Sequence, residues 1–253
     1  MAAALVLAAL PLTACDVGFA AEAKNQWTKS YPLTTGGTLE IHNTNGKIDV
    51  QQTDGTTVEI VAERVVRAGS DDEAKAALAK FDIVDKVSAD HITLEAPTKS
   101  DGGLFSGLSH IVNYTVKLPK GANVKLDVTN GEILARGLTG TFHATATNGE
   151  ITASGLENTA DARTTNGEIS LDFTKLGPEG VHCETTNGEV RVIVPRDVKA
   201  DVSISVTNGD FSTSGLDVTV TDKSRRSMSG KIGGGGPVIK LEATNGDLKI
   251  SAK

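Results

Sequence analysis

One six-residue phrase is written seven times along this chain, and any fold must accommodate that repetition. It appears first as Asn43-Thr44-Asn45-Gly46-Lys47-Ile48. It returns as VTNGEI from Val128, ATNGEI from Ala146, TTNGEI from Thr164, TTNGEV from Thr185, VTNGDF from Val206 and ATNGDL from Ala243. Aligned on threonine, the copies from Thr129 onward are spaced by 18, 18, 21, 21 and 37 residues. The long last gap leaves room for a degenerate copy at Met228-Ser229-Gly230-Lys231-Ile232. Self-similarity with a period near 20 residues is the mark of a solenoid, one supersecondary unit per turn.

The flanks of the phrase alternate. Five residues before the threonine stand Leu39, Val124, Phe142, Ala160, Val181, Val202 and Ile239, and three before it stand Ile41, Leu126, Ala144, Ala162, Cys183, Ile204 and Leu241. Four residues after it come Ile48, Ile133, Ile151, Ile169, Val190, Phe211 and Leu248. Six after it come Val50, Ala135, Ala153, Leu171, Val192, Thr213 and Ile250. A period of two on both sides of a turn gives two half-buried strands per repeat. Asn-Gly between alternating strands also signals a hairpin, so an antiparallel sandwich or meander is the rival. Identical columns recurring in every copy favour stacked coils about 4.8 Å apart. The expected fold is therefore an all-β solenoid with coils of about 18–21 residues. Asn-Gly would supply a left-handed corner, and Asn and Thr would stack into hydrogen-bonded ladders. Cys183 falls in an inward column, where a free cysteine acts as a small inert hydrophobe.

Bulk composition agrees. There are 27 glycines, only 4% aromatic residues and a net charge of −7. The basic surface that nucleic acid requires is missing, so nucleic-acid binding is excluded. At the N-terminus, Ala2–Leu10 is an apolar run too short to span a bilayer, followed by Leu12-Thr13-Ala14-Cys15. These four residues resemble the lipobox of bacterial lipoproteins. The resemblance implies a signal peptide over residues 1–14, cleavage before Cys15, and lipid attachment (palmitate or a similar acyl chain) at that cysteine. No Lys or Arg precedes the apolar run, so the true start is expected further upstream. The alternative is cleavage near Ala21-Glu22-Ala23 and soluble secretion. Residues 15–30 read as a tether.

Residues 31–120 are less regular. Ser70-Asp71-Asp72-Glu73 forms a capping box before AKAALAKF, which predicts one helix over 71–80. Strands are expected over 91–94 and 111–118, with a glycine-rich loop between them. Residues 121–253 carry the regular repeats, and Gly233–Gly236 reads as a flexible corner. The segments YTVKLPKGANVKLDVTNGEI and GKIGGGGPVIKLEATNGDLKI, with the recurring Thr-Asn-Gly-acid-apolar unit, resemble the bacterial domain-of-unknown-function family labelled "putative adhesin". The resemblance covers Tyr31–Lys253. It implies a β-solenoid-like fold in exported or envelope proteins and supplies no catalytic residues.

Few features could carry chemistry. The residue after the phrase glycine is acidic in six copies: Glu132, Glu150, Glu168, Glu189, Asp210 and Asp247. The glutamates Glu132, Glu150, Glu168 and Glu189 are the candidate calcium ligands. A file of carboxylates on one edge does not converge as calcium demands, however, and each can stand solvated, so no metal is expected. His143, Asp161 and His182 share an outward column, but the two histidines stand about 9.6 Å apart, too far to share zinc. Nucleophile elbows and dinucleotide or phosphate loops are absent from the sequence. Parallel β-helix enzymes acting on glycans remain the catalytic alternative, but their grooves use clustered carboxylates and exposed aromatics. Trp27, Tyr31, Phe105 and Tyr114 are the few aromatics in exposed-looking contexts. The chain is expected to be a non-enzymatic, lipid-anchored envelope protein without a cofactor. It would face the periplasm or cell exterior and work in adhesion, interaction or accessory signalling, with a protein or glycan partner. The alternative is a glycan-binding or glycan-cleaving β-helix.

Overall fold

A computed structural model describes residues 20–96 and 107–253. Cys15, the signal segment and Phe105 lie outside the described residues. In chain order the elements begin with β1 (Ala21–Pro32), β2 (Thr38–Asn45), β3 (Ile48–Gln52), β4 (Thr57–Ala68), helix α1 (Asp71–Lys80), β5 (Val84–Val87), β6 (His91–Glu95) and β7 (Ser109–Leu118). The repeats follow as β8 (Asn123–Asn130), β9 (Ile133–Arg136), β10 (Phe142–Asn148), β11 (Ile151–Leu156), β12 (Ala160–Asn166), β13 (Ile169–Phe173), β14 (Val181–Asn187) and β15 (Val190–Val194). The last are β16 (Ala200–Asn208), β17 (Phe211–Ser214), β18 (Val218–Lys223), β19 (Ser227–Ile232), β20 (Val238–Asn245) and β21 (Leu248–Ala252).

Each phrase joins one strand of an eleven-stranded sheet to one strand of a ten-stranded sheet. The eleven-stranded order is β18-β19-β16-β20-β14-β12-β10-β8-β2-β6-β5, and the ten-stranded order is β1-β4-β7-β3-β9-β11-β13-β15-β21-β17. The coils stack in parallel, Asn45 beside Asn130, Asn148, Asn166 and Asn187 in turn. The inward columns form one continuous core between the sheets. Ile41, Leu126, Ala144, Ala162, Cys183 and Leu241 are all buried, as are Ile48, Ile133, Ile151, Ile169, Val190 and Leu248. Each buried Leu, Ile or Val contributes roughly 1.5–3 kcal/mol, so every coil adds its own increment of stability.

The corner glycines owe their identity to contact between coils more than to turning. Their φ values run from 112° to 157° at Gly46, Gly131, Gly167, Gly188, Gly209 and Gly246, whereas Gly149 lies outside that left-handed range. No asparagine adopts positive φ, so the expected left-handed Asn-Gly corner is corrected to glycine alone. A Cβ on Gly149 would lie 1.7 Å from the carbonyl oxygen of Gly131, and one on Gly188 would lie 1.8 Å from that of Gly167. Only a hydrogen fits at that approach.

Asparagine forms the expected ladder. Asn130 donates its side-chain amide to Asn45 Oδ1 at 2.9 Å, Asn148 to Asn130 at 2.9 Å, Asn166 to Asn148 at 2.9 Å and Asn187 to Asn166 at 2.8 Å. Asn245 then donates to Asn187 at 2.8 Å, Asn208 to Asn245 at 2.9 Å, and Asn45 caps the file on the His110 carbonyl at 3.1 Å. The aligned threonines do not continue it, because they point outward to solvent. The buried neighbours Thr164 and Thr185 bond instead to the carbonyls of Gly149 and Gly167.

The coils are not stacked in chain order. β20 and β21 insert between the coil of β14 and β15 and the coil of β16 and β17. Met228–Ile232 is therefore no degenerate coil. It lies in β19, antiparallel to β16, in a hairpin with β18 that covers the edge of β16. Gly233–Gly236 forms the corner that joins β19 to β20: Gly233, Gly234 and Gly235 have positive φ, and a Cβ on Gly236 would meet the Lys199 carbonyl at 2.7 Å.

At the other end, antiparallel β1, β4 and β7 close the ten-stranded sheet, and α1 packs on β1 and β4. Ser70 Oγ accepts from the Glu73 backbone N–H, while Ala74 and Leu78 turn inward. β1 starts within the stretch read as a tether, pairing along β4 while Ala23 is buried and Trp27 and Tyr31 pack half-buried against the core. Tyr114 is buried at 1% exposure, since it alternates with Val112 and Val116 on the inner face of β7; it is not an exposed aromatic.

Candidate interaction face

The outer face of the eleven-stranded sheet collects the side chains with chemical potential. Two before each phrase threonine, register places His42 beside Asp127, then Thr145, Arg163, Glu184 and Glu242. Four before, it places Glu40 beside Lys125, then His143, Asp161, His182 and Lys240. The exposed threonines form a third file at the corner.

Two shallow grooves lie side by side here. One, of about 370 Å³, is lined by His42, Asn43, Thr44, Ala96, Asp127 and the threonines Thr129, Thr145 and Thr147. The other, of about 330 Å³, is lined by Lys125, Asp127, His143, Thr145, Asp161 and Arg163. They share Asp127 and Thr145, so together they form a furrow of mixed polar and apolar lining that crosses several coils.

Charge on this face is paired off. Lys125 Nζ lies 2.7 Å from Glu40, His91 Nε2 3.0 Å and His42 Nε2 3.1 Å. The Lys125 hydrogen bond, helped by His91, holds the Glu40 carboxyl down at about 2 and raises Lys125 in turn. His42 Nδ1 faces Asp127 at 3.0 Å, so each ring nitrogen meets a different carboxylate. Glu40, His42 and Asp127 each bring one ligand-type atom within 4.8 Å of the others, although Glu40 is already paired with Lys125.

A second constellation repeats the pattern. His182 Nε2 meets Glu242 at 3.1 Å, Arg163 Nη2 lies 3.2 Å from His182 Nδ1 and 2.8 Å from Asp161, and Lys240 takes Glu242 at 2.7 Å. The Lys240 bond lowers the Glu242 carboxyl. Lys125, Arg163 and Lys240 thus each lie beside a carboxylate of this face, Glu40, Asp161 and Glu242 in turn.

The corner acids stand apart from these clusters. Glu132 pairs with Lys47 at 3.4 Å, and Glu189 holds Arg191 at 2.6 Å and Lys249 at 3.1 Å, chiefly the lysine lowering its carboxyl. Glu150 and Glu168 point into solvent. Among the described residues, groups close enough to share an ion are Glu40–His42–Asp127 and His182–Glu184–Glu242, and neither contains a corner acid. Cys183 is fully buried, and burial pushes its thiol up, away from the reactive thiolate.

Sequence reasoning placed His143, Asp161 and His182 on one outward column, and the register does so. It missed the Glu40–His42–Lys125–Asp127 cluster. The signal was available, because His42 and Asp127 both stand two residues before a phrase threonine. It also missed Glu242 beside His182, a contact that exists only because β20 is inserted out of order.

Among the described residues no helix is long and apolar enough to cross a membrane. No curated protein matches the sequence. The fold is similar to the crystal structure of a "putative cell adhesion protein" from Clostridium sporogenes, at 14% identity and TM-score 0.54, over 91% of this chain and 100% of that one. A "putative adhesin" from Bacteroides fragilis matches at 12% identity and TM-score 0.43, over 91% of this chain and 98% of the other. A family model, Toastrack DUF4097, matches residues 32–251. Nearly the whole stack of coils lies within that match, and the chain belongs to the Toastrack DUF4097 family.

Proposed function

We propose that this chain is a non-enzymatic envelope protein that presents its eleven-stranded sheet as a recognition face. The observation that carries the reading is the pairing of charge across that face. Glu40, Asp161, Glu184 and Glu242 each lie beside a cation, which leaves shape and alternating charge for recognition and few groups for acid–base work. The fold neighbour from Clostridium sporogenes, named for cell adhesion, supports an adhesion-like role. In this reading the protein is exported and held to a membrane by lipid on Cys15, without a cofactor. Its partner is a protein or glycan that crosses the furrow from His42 to Arg163.

The test measures binding of the full chain to glycan arrays and to envelope extracts, beside a variant carrying Lys125→Glu and Arg163→Glu. Binding that the double variant loses while melting cooperatively supports the face. Equal binding by both proteins, or specific glycan hydrolysis, overturns the reading. Cys15→Ala should release the protein from membranes, and continued retention would defeat the anchor.

A further inference from the structure

The seven Asn-Gly pairs are chemically alike but not structurally equivalent. In six of them the glycine N–H donates to the asparagine carbonyl of the next coil: Gly46 to Asn130 at 2.9 Å, Gly131 to Asn148 at 3.1 Å, Gly149 to Asn166 at 2.9 Å, Gly167 to Asn187 at 3.0 Å, Gly188 to Asn245 at 3.0 Å and Gly246 to Asn208 at 2.9 Å. The asparagines of these six pairs, Asn45, Asn130, Asn148, Asn166, Asn187 and Asn245, each accept a side-chain amide on Oδ1 from the next rung. Asn208 is the last rung. Among the described residues nothing donates to its Oδ1, and no carbonyl receives the Gly209 N–H. Both residues are exposed, and β17, which follows them, is an edge strand paired only with β21.

We infer that Asn208-Gly209 is the chain's site of spontaneous amide-to-acid modification. The Gly209 nitrogen loses its proton to base and attacks Cγ of Asn208. A Cγ–N bond forms, the Cγ–Nδ2 bond breaks, and the amide nitrogen leaves as ammonia. Water then opens the cyclic imide at either carbonyl, giving aspartate or its β-linked isomer, so water enters and ammonia departs. In the six inner pairs three things oppose this step. The glycine N–H is tied to a neighbour, the side-chain amide is held on both sides, and coils above and below keep the backbone extended. At Asn208 only Asn245 restrains the amide, and fraying of an edge strand is the cheapest opening available.

Modification would also change the end of the stack. A carboxylate at position 208 cannot donate to Asn245 Oδ1, and the β-linked isomer lengthens the backbone where β16 turns into β17. The terminal coil should therefore loosen after conversion.

The test incubates the full folded chain at mildly alkaline pH and maps all seven sites by peptide mass spectrometry, with a urea-unfolded sample alongside. In the folded chain Asn208 should convert at least about tenfold faster than any other Asn-Gly site, the inner sites having to open first. In urea the seven should convert at comparable rates. Asn208→Gln should remove the fast conversion and leave the other six rates unchanged, and amide hydrogen exchange over Phe211–Ser214 should rise as Asn208 converts. Uniform rates in the folded chain, first conversion at any of the other six sites, or an Asn208 as protected as they are would overturn the inference.

Discussion

Alanine at Gly149 separates two explanations of the corner glycine, because this position lacks the left-handed φ of its counterparts. If glycine were needed only for backbone conformation, Gly149→Ala would be nearly harmless. The structure predicts the opposite. A Cβ there sits 1.7 Å from the Gly131 oxygen and 2.7 Å from its carbon, and real Cβ atoms keep at least 3.0 Å. The coils must part locally by about 1.3 Å. That movement stretches the bonds from Gly131 N to Asn148 O (3.1 Å), Asn148 Nδ2 to Asn130 Oδ1 (2.9 Å) and Ile133 N to Glu150 O (2.9 Å) beyond useful length. Three such bonds at about 0.5–1.5 kcal/mol each, plus loosened packing of Ile133 on Ile151, give a loss of about 2–5 kcal/mol. Gly137 is the control. Its φ is 66°, and an added methyl would meet nothing within 4 Å, so alanine there bears only the backbone cost of about 1–2 kcal/mol. Urea unfolding of both variants, with slopes compared to detect loss of cooperativity, is the assay. A Gly149→Ala protein as stable as wild type, or more stable than Gly137→Ala, would refute the steric argument.

Asn166→Ala should lose the amide bonds to Asn148 and Asn187 and lower stability by about 1–2 kcal/mol in thermal melts, less than the glycine change. Glu40, normally near 4.5, is held at about 2 in the fold. A depressed carboxyl contributes stability that is complete above 4.5 and lost as pH falls toward 2, so unfolding followed through that window should show an acid-dependent loss. The screened contribution is about 1–3 kcal/mol, and Glu40→Gln should be less stable at neutral pH and flatter across the same window. Cys183 should resist alkylation in the native protein and react once urea unfolds it; rapid native labelling would contradict its burial. Millimolar calcium against chelator should leave the melting temperature unchanged; a clear rise that survives in the Glu40→Gln and Glu242→Gln variants would show that Glu132, Glu150, Glu168 and Glu189 gather an ion after all.

The core was legible in the sequence because a strand writes its inner face every second residue, and seven aligned copies repeat that message at each column. Leu126, Ala144, Ala162 and Cys183 could be assigned inward from that pattern alone. Tyr114 followed the same rule beside Val112 and Val116, but one aromatic in an irregular segment has no repeat to align with. Coil order was not legible, for a physical reason. Each phrase offers the same amide, carbonyl and apolar column to its neighbour, so Asn245 fits beside Asn187 as well as Asn208 would. The choice rests on the long excursion through β18 and β19, which the 37-residue spacing announced without interpreting. The outer face inherits that ambiguity, because its cross-coil neighbours depend on coil order. Glu242 reaches His182 only through the inserted coil, and His42 meets Asp127 only because the first phrase joins the main stack.

The inserted coil also bears on how the molecule is built in time. A chain delivered from its N-terminus, by a ribosome or through an export channel, can dock β8 and β9 on β2 and β3 and then add each coil to the last as far as β15. The next segment made, β16 and β17, cannot dock in its final place, because its neighbour β20–β21 has not yet been delivered. β17 has no partner in its sheet until Leu248–Ala252 arrives. Growth by simple addition therefore stops one coil short, and the last step is a closure in which the late coil enters between two earlier ones. Until that closure, the unpaired edges of β15 and β17 are the part of the nascent protein most in need of protection.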